Sequence, residues 1–405
     1  MNKVVVIGGG QAGLQVCESL RREGFEGELC LVSNEKILPY QRPPLSKSFL
    51  LGEVEAERLL IRPGSFFEKH KINCKLGSAA VSIERQKKVV VLASGEILPY
   101  DTLVLATGSK VKKLSDGQRD SRIFYVRSLL DAEGLAERLG DFKSVAVIGG
   151  GFIGLEVAAV CRVLSKSVIV FEQSDSLMAR VIPPPLAAFY EDVHTKKGVK
   201  IKLSATIENI ATDRDSIIIS SGNKESSVDA LVVGIGVIPN ISLATKSAIK
   251  CHDGILTDAT GRTNDDHIFA AGDCAAFFSN YHKSHVRLES VQHAVDTGKV
   301  VAANILDNDK EYDSVPWFWS DQYDLKLQIA GLLDPHTDVF TLGSIEEESF
   351  SMFYFTEGIH TGTASVNRPS DHMKSRKLLG SGSKLTKRIM EKEGFDLTAF
   401  AKEHL

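Results

Sequence analysis

The sequence predicts an α/β fold built on two parallel-sheet βαβ units and completed by a C-terminal α+β domain. Three observations carry this. The first is a near-repeat: Val4-Val5-Val6-Ile7-Gly8-Gly9-Gly10-Gln11-Ala12-Gly13-Leu14 returns as Val145-Ala146-Val147-Ile148-Gly149-Gly150-Gly151-Phe152-Ile153-Gly154-Leu155. Each copy joins a β-rich apolar run, a glycine turn and a helical pattern, then meets a second apolar run at 29–32 or 168–171. That succession makes a parallel βαβ unit of a doubly wound sheet. The second observation is the set of further strand-like runs at 89–92, 103–106, 199–203, 217–219 and 231–233. The third is a change of character near Trp317, where short runs at 328–333, 350–355 and 361–366 are broken by Gly, Asp and Pro, as in an antiparallel sheet. Between these, Pro183-Pro184-Pro185 opens a helix that Gly198 closes. The stretch 372–405, with eight Lys/Arg against four Asp/Glu, is expected to be a solvated helical tail.

With 405 residues, the chain has room for two to four domains. A formal net charge of −4 argues against a general nucleic-acid binder. No apolar run reaches the roughly 18 residues that span a bilayer, and the four apolar residues before Gly8 read as a strand rather than a leader. The six cysteines, Cys17, Cys30, Cys74, Cys161, Cys251 and Cys274, show neither C-x-x-C nor C-x4-C spacing. They are expected to be reduced thiols of a cytoplasmic protein, and neither a structural metal site nor a redox dithiol is expected.

In the first loop, Gly8 permits the tight turn, Gly10 lets backbone approach a pyrophosphate, and Gly13 lets helix and strand pack closely. Gly149, Gly151 and Gly154 repeat this. The following helix N-terminus offers N–H groups and a positive dipole to the phosphates. Two loops imply two dinucleotides. The residue ending the second strand of such a unit meets the adenosine ribose. Glu172, 23 positions beyond Gly149, would accept hydrogen bonds from a free 2′-hydroxyl and repel a 2′-phosphate, favouring NADH over NADPH. Arg180 is near enough in sequence to soften that preference. In the first unit either Asn34 or Glu35 meets the ribose.

The longer motifs are more specific. They include Leu38-Pro39-Tyr40-Gln41-Arg42-Pro43-Pro44-Leu45-Ser46-Lys47, Ala106-Thr107-Gly108, Phe152-Ile153-Gly154-Leu155-Glu156, Gly234-Ile235-Gly236-Val237-Ile238-Pro239-Asn240, Ala271-Gly272-Asp273-Cys274, Arg287-Leu288-Glu289-Ser290-Val291 and Pro316-Trp317-Phe318-Trp319-Ser320-Asp321-Gln322. Together, from Val4 to about Arg368, they resemble the putidaredoxin-reductase-like family of FAD-dependent, NADH-using ferredoxin reductases that serve bacterial oxygenases. The resemblance implies a glutathione-reductase-like fold with two Rossmann-like domains. An FAD domain would comprise 1–108 and 237–316, an NADH domain 109–236, and a C-terminal α+β domain 317–405.

The resemblance also implies roles. Lys47 and Glu156 would pair near the flavin N5 edge, the cation favouring the reduced ring and the carboxylate orienting the cation. The residues alone equally allow an exposed Lys47 and a Glu156 serving only the helix dipole. Asp273 would hold the FAD ribitol, or cap a helix. Arg42 and Arg127 would hold the FAD pyrophosphate or adenine. Ala12, Ala80 and Val291 would contact FAD through backbone or packing. Ala106-Thr107-Gly108 and Gly234-Ile235-Gly236 would pass close to cofactor as chain crossings, with Gly272 and Ser290 in cofactor-binding motifs. Phe152 and Ile153 belong to the second loop. Glu289 and Trp319 would border nicotinamide and flavin, with core packing the alternative for Trp317 and Trp319. Asn34 stands where relatives are usually acidic. His293 reads as structural.

The reaction implied is hydride transfer from NADH to tightly but non-covalently bound FAD, then two single-electron transfers to a [2Fe–2S] ferredoxin feeding a cytochrome P450 or other oxygenase. Glutathione and thioredoxin reductases share the fold but need a cysteine pair beside the flavin, and none lies near Lys47 or Gly151. The alternatives are a rubredoxin reductase, or an NADH-sensing flavoprotein of the apoptosis-inducing-factor type. The expected assembly is a monomer or weak dimer meeting its ferredoxin transiently through a basic patch.

Overall fold

The strand Lys3–Ile7 follows from its β-branched run: Val4, Val5, Val6 and Ile7 are all buried, as a parallel strand covered on both faces requires. The computed structural model describes residues 2–114, 120–279, 284–333 and 338–405. It divides into two compact units, one of residues 1–41, 57–110 and 237–314, the other of 42–56, 111–236 and 315–405.

In the first unit, five parallel strands lie in the order Ile268–Ala270, Thr102–Leu105, Lys3–Ile7, Glu28–Val32 and Ile72–Lys75. Helix Gln11–Arg22 leaves the first glycine loop and packs beside helix Val291–Ile305. Their inner faces close one core with the sheet, with Leu14, Leu20, Val300 and Val301 buried among Val6, Leu31 and Leu105. A small antiparallel sheet, Ala80–Glu84, Val89–Leu92 and Ile97–Pro99, adds its inner face to the same core.

The second unit repeats the plan. Its parallel strands lie in the order Val199–Lys202, Ser167–Phe171, Ser144–Ile148, Ala230–Val233 and Ile123–Phe124. The expected proline-led helix runs Pro184–Lys196, and Gly198 follows with φ 86°. An antiparallel sheet of five strands then forms in the order Trp317–Gln322, Leu325–Gly331, Ile359–Val366, Ser349–Thr356 and Asp338–Ser344. The strand expected over 328–333 stops at Gly331, which has φ 77° and where a Cβ would lie 2.3 Å from the Thr361 carbonyl oxygen.

The C-terminal stretch departs from expectation. It is not a solvated tail: helices Pro369–Gly380, Lys387–Met390 and Leu397–His404 bury Leu378, Met390, Leu397 and Ala401 against Phe353 and Phe355, joined by Leu385 from the segment between the first two. The basic residues Arg376, Lys377, Lys384, Arg388 and Lys392 occupy the outer face. The charge excess describes that face alone, and the inner face is scattered over three short helices with no single period.

All six cysteines are free, and Cys17, Cys161 and Cys274 are buried. Burial pushes the thiols of Cys30 and Cys74 up to about 11 and that of Cys161 to about 12. Among the described residues no helix is long and apolar enough to cross a membrane, and no group of three or more His, Cys, Asp or Glu could hold a metal ion.

Candidate functional site

The two glycine loops are built alike. Gly8 has φ 126° and Gly149 φ 104°. A Cβ on Gly8 would lie 1.9 Å from the Ala106 carbonyl oxygen, and one on Gly149 2.4 Å from that of Gly234. A Cβ on Gly13 or Gly154 would strike the carbonyl oxygen of Gly8 or Gly149 at 2.0 and 2.1 Å. These four glycines are therefore required by the protein's own backbone. Gly10 and Gly151 differ: no atom lies within 4 Å of a Cβ on either. Neither is required by the chain's own packing.

Each of these two glycines is the N-cap of its helix, and neither helix has a side-chain cap or an acidic residue in its first turn. The positive helix end and its outward N–H groups thus face open space, the arrangement that receives a pyrophosphate. The residues present fit two dinucleotides on that ground.

The strand-end positions differ. Glu172 Oε2 accepts from the Gly150 N–H at 2.6 Å and Oε1 from the Ser174 N–H at 2.8 Å, so the carboxylate is pinned onto the loop. The matching position in the first unit is Ser33: Gly8 N–H bonds Val32 as Gly149 N–H bonds Phe171. Ser33 Oγ accepts from the Glu35 N–H at 3.2 Å, and Tyr40 Oη donates to Glu35 Oε2 at 2.6 Å. Asn34 is exposed. Sequence reasoning passed over Ser33; counting one residue past the buried strand in each copy would have found it.

Around the first loop, Thr107 Oγ1 donates to the Asn240 carbonyl at 2.7 Å and the Asn240 N–H to the Gly108 carbonyl at 2.8 Å. Ser109 Oγ donates to Asp273 Oδ2 at 2.9 Å. Asp273 lies inside the short turn Gly272–Cys274, whose N-cap is Ala271, so the expected helix-capping alternative is not realised. The Gly272 N–H is held by Thr297 Oγ1 at 3.0 Å, and Ala12 lies 2.8 Å from where a Cβ on Gly272 would be. Ser290 caps helix Val291–Ile305, accepting from the His293 N–H at 3.0 Å, and Val291 is half-buried in its first turn. Glu289 is not free: Arg287 Nη1 meets its Oε1 at 2.6 Å. His293 Nδ1 is 3.0 Å from Tyr312 Oη, and burial lowers its ring to about 4. Ala80 opens the strand Ala80–Glu84 and is half-buried.

In the second unit, Arg42 Nη1 donates to the Arg127 carbonyl at 2.8 Å. Phe152 packs on Phe318 with ring centroids 4.5 Å apart, and Ile153 is 45% exposed beside it. A Cβ on Gly234 would lie 3.4 Å from the Gly154 backbone, Ile235 joins the apolar cluster behind the loop, and exposed Arg180 reaches to 3.9 Å from where a Cβ on Gly236 would be. Trp319 packs on Trp317 with centroids 5.4 Å apart. Trp317 is further enclosed by His372 at 5.5 Å and Arg376 at 5.1 Å.

Lys47 and Glu156 meet. Lys47 Nζ lies 3.0 Å from Glu156 Oε1, with the carboxylate side chain 2% exposed. Glu156 projects from helix Phe152–Val163 beyond the first turn, so it does not serve as a dipole residue. Two hydroxyls complete its shell: Ser46 Oγ donates to Oε2 at 2.5 Å and Ser320 Oγ to Oε1 at 2.7 Å. Burial pushes this carboxyl up, while Lys47, Ser320 and Ser46 act against the rise. The Lys47 ammonium and the two hydroxyl donors all favour the ionised form. Sequence reasoning missed Ser46 and Ser320, although both lie inside the motifs quoted above.

Residues 2–298 match the family described as pyridine nucleotide-disulphide oxidoreductase, and residues 317–401 match the reductase C-terminal domain. The chain belongs to this family, whose members depend on FAD and a nicotinamide dinucleotide. Within it the chain falls among the ferredoxin reductases. It is 40% identical to rhodocoxin reductase of Rhodococcus erythropolis over 99% of this chain and 95% of that protein. The ferredoxin reductase for the CYP199A2 system of Rhodopseudomonas palustris superposes with a TM-score of 0.95 at 39% identity, covering 99% of this chain and 100% of that one. Putidaredoxin reductase in its covalent complex with putidaredoxin gives 0.95 at 31%, covering 100% and 99%.

Proposed function

We propose that this protein is the flavoprotein reductase of an oxygenase system, drawing electrons from NADH and delivering them to a ferredoxin. The observation that carries this is the pair of glycine loops, each opening an uncapped helix N-terminus, in a chain whose sequence holds no C-x-x-C or C-x4-C pair. Such a chain can hold two dinucleotides and lacks the closely spaced cysteine pair that passes electrons into a disulfide. A flavin held there would supply the exchange between the electron pair of a nicotinamide and the single electrons an iron–sulfur cluster accepts.

The chain's own part is to bind, orient and exclude water. We assign FAD to the loop Gly8–Gly13, with Ala12, Glu35 or Asn34, Ala80, Ala106, Thr107, Gly108, Gly272, Asp273, Ser290 and Val291 around it, and Arg42 and Arg127 on its phosphates or adenine. NADH is assigned to the loop Gly149–Gly154, with Phe152, Ile153, Gly234, Ile235, Gly236 and Arg180. Glu172 selects against a 2′-phosphate. Lys47 and Glu156 serve the flavin, and Glu289 and Trp319 border the reacting rings. The division into an FAD domain (1–108 and 237–316), an NADH domain (109–236) and a C-terminal domain (317–405) belongs to the same proposal. So do a [2Fe–2S] acceptor bound transiently, a monomeric or weakly dimeric state, and a cytoplasmic location.

Anaerobic titration of the purified protein tests this. A yellow protein should bleach with NADH, much less readily with NADPH, and recover colour when oxidised ferredoxin is added. A colourless protein that flavin cannot reconstitute would sink the reading.

A further inference from the structure

The Lys47–Glu156 pair does not end at Ser320. Ser320 Oγ, donating to Glu156, accepts in turn from Gln322 Nε2 at 3.2 Å. Gln322 Oε1 is 2.8 Å from His194 Nε2, and His194 Nδ1 is 3.2 Å from Tyr323 Oη. Ser320 and His194 are wholly buried and Gln322 is 1% exposed. This file of polar groups crosses from strand Trp317–Gln322 to helix Pro184–Lys196 and uses no group assigned above to a cofactor.

Its direction follows from donor counting. Ionised Glu156 only accepts, so the single Ser320 proton must point at it. Ser320 Oγ can then only accept, which turns the Gln322 NH2 toward it. The other Gln322 N–H has Met178 Sδ at 4.0 Å. The Gln322 carbonyl then needs a donor, so His194 carries its proton on Nε2. Its bare Nδ1 accepts from Tyr323. Flipping the amide would leave Ser320 facing two acceptors with one proton. Burial lowers the His194 ring, which keeps it neutral in this tautomer.

Tyr323 supports the reading independently. It sits at φ 55° between strands Trp317–Gln322 and Leu325–Gly331. A bulky residue is costly in that left-handed conformation, where Gly or Asn is usual. Here the side chain stacks tilted on His194 with centroids 5.1 Å apart.

We propose that Ser320, Gln322 and His194, anchored by Tyr323, are positioning residues for the Lys47–Glu156 pair: a one-way chain of donors that keeps the Glu156 carboxylate ionised and fixed. The chain is not a proton path, because the Gln322 amide does not relay a proton. It carries orientation. Loss of the His194 donor frees the amide to flip, turns the Ser320 proton away, and weakens Glu156 from three residues off.

This inference rests on the assignment of Lys47 and Glu156 to the flavin, and the experiment separates the two. The titratable groups facing Glu156 are Lys47, which ends the short helix Pro43–Ser46, and Tyr190 from helix Pro184–Lys196; Asp321 and Glu348 face Tyr190 in turn. In the flavin-loaded protein, the protonated-carboxyl infrared band absent from Glu156→Gln is followed against pH. Single-turnover flavin reduction by NADH is measured alongside. Ser320→Ala should move the band's midpoint up by about one pH unit and slow reduction about tenfold, with NADH affinity unchanged. Ser320→Thr, which keeps the hydroxyl, should restore both. His194→Leu should act in the same direction, and the double variant with Ser320→Ala should be no worse than Ser320→Ala alone. If Glu156→Gln leaves flavin reduction unchanged, the flavin assignment fails. If Glu156→Gln slows it but Ser320→Ala moves neither readout, the positioning chain is overturned.

Discussion

The two copies of the βαβ unit share a backbone and divide the labour. Gly8, Gly10 and Gly13 match Gly149, Gly151 and Gly154 in conformation and in what a Cβ would meet. Two of the positions that set them apart give the second copy a carboxylate that the first lacks. At the strand end the first copy has Ser33 and the second Glu172. On the helix, Glu156 corresponds to Gln15, which donates to Ser19 Oγ at 3.0 Å along its own helix. The second copy thus carries a carboxylate pinned on its glycine loop and a buried carboxylate on its helix, where the first has a hydroxyl and an amide. In the proposed assignment, the first of these carboxylates selects the nucleotide and the second serves the flavin.

The sharpest way to break the comparison is at the two bare glycines. Gly10→Ala should leave folding intact by circular dichroism yet yield a protein without colour, because the methyl occupies the space a pyrophosphate needs. Gly151→Ala should keep the flavin and raise the NADH dissociation constant by roughly ten- to a hundredfold, the loss of one or two charged hydrogen bonds. If either variant lost both cofactors, the copies would not be independent.

Next in size is the pair unique to the second copy. Lys47→Ala strands Glu156 in a buried site and should cost about 3–5 kcal/mol in urea unfolding, whereas Gln15→Ala in the first copy should cost under about 1 kcal/mol. Equal costs would mean that the buried carboxylate finds another partner.

A smaller effect is expected from Glu172→Ser, which gives the second copy the first copy's strand end. The ratio of kcat/KM for NADH over NADPH should fall about tenfold, the loss of one charge contact. An unchanged ratio would remove Glu172 as the selector.

A pH effect is shared by both units. Burial lowers His293 in the first unit and His360 in the second to about 4. The unfolded rings titrate near 6.5, so they take up protons that the folded ones refuse. Stability is complete above pH 6.5 and is lost as pH falls toward 4, by at most about 1.4 kcal/mol per pH unit for each ring. Melting temperature against pH should show this decline, and His360→Gln should flatten part of it.

What was legible in the sequence was local or repeated. The glycine loops announce themselves because each needs three glycines within six residues between a strand and a helix. The proline-led helix and the antiparallel sheet were legible through turn residues and short apolar runs. The Glu156 shell was not, since Ser46, Ser320 and His194 are each unremarkable alone and converge only through tertiary packing. Ser33 was overlooked because attention went to the acidic type rather than to the position. The C-terminal helices were misjudged because their charges are contiguous and their apolar anchors are not.

The buried thiols described earlier bear on how such a molecule survives its own work. Reduced flavins leak electrons to dioxygen and so generate peroxide beside the polypeptide. Peroxide attacks thiolate, not thiol. With Cys30, Cys74 and Cys161 held protonated far above neutral pH, the chain offers this by-product few reactive sulfurs, and stray oxidation has little to seize on.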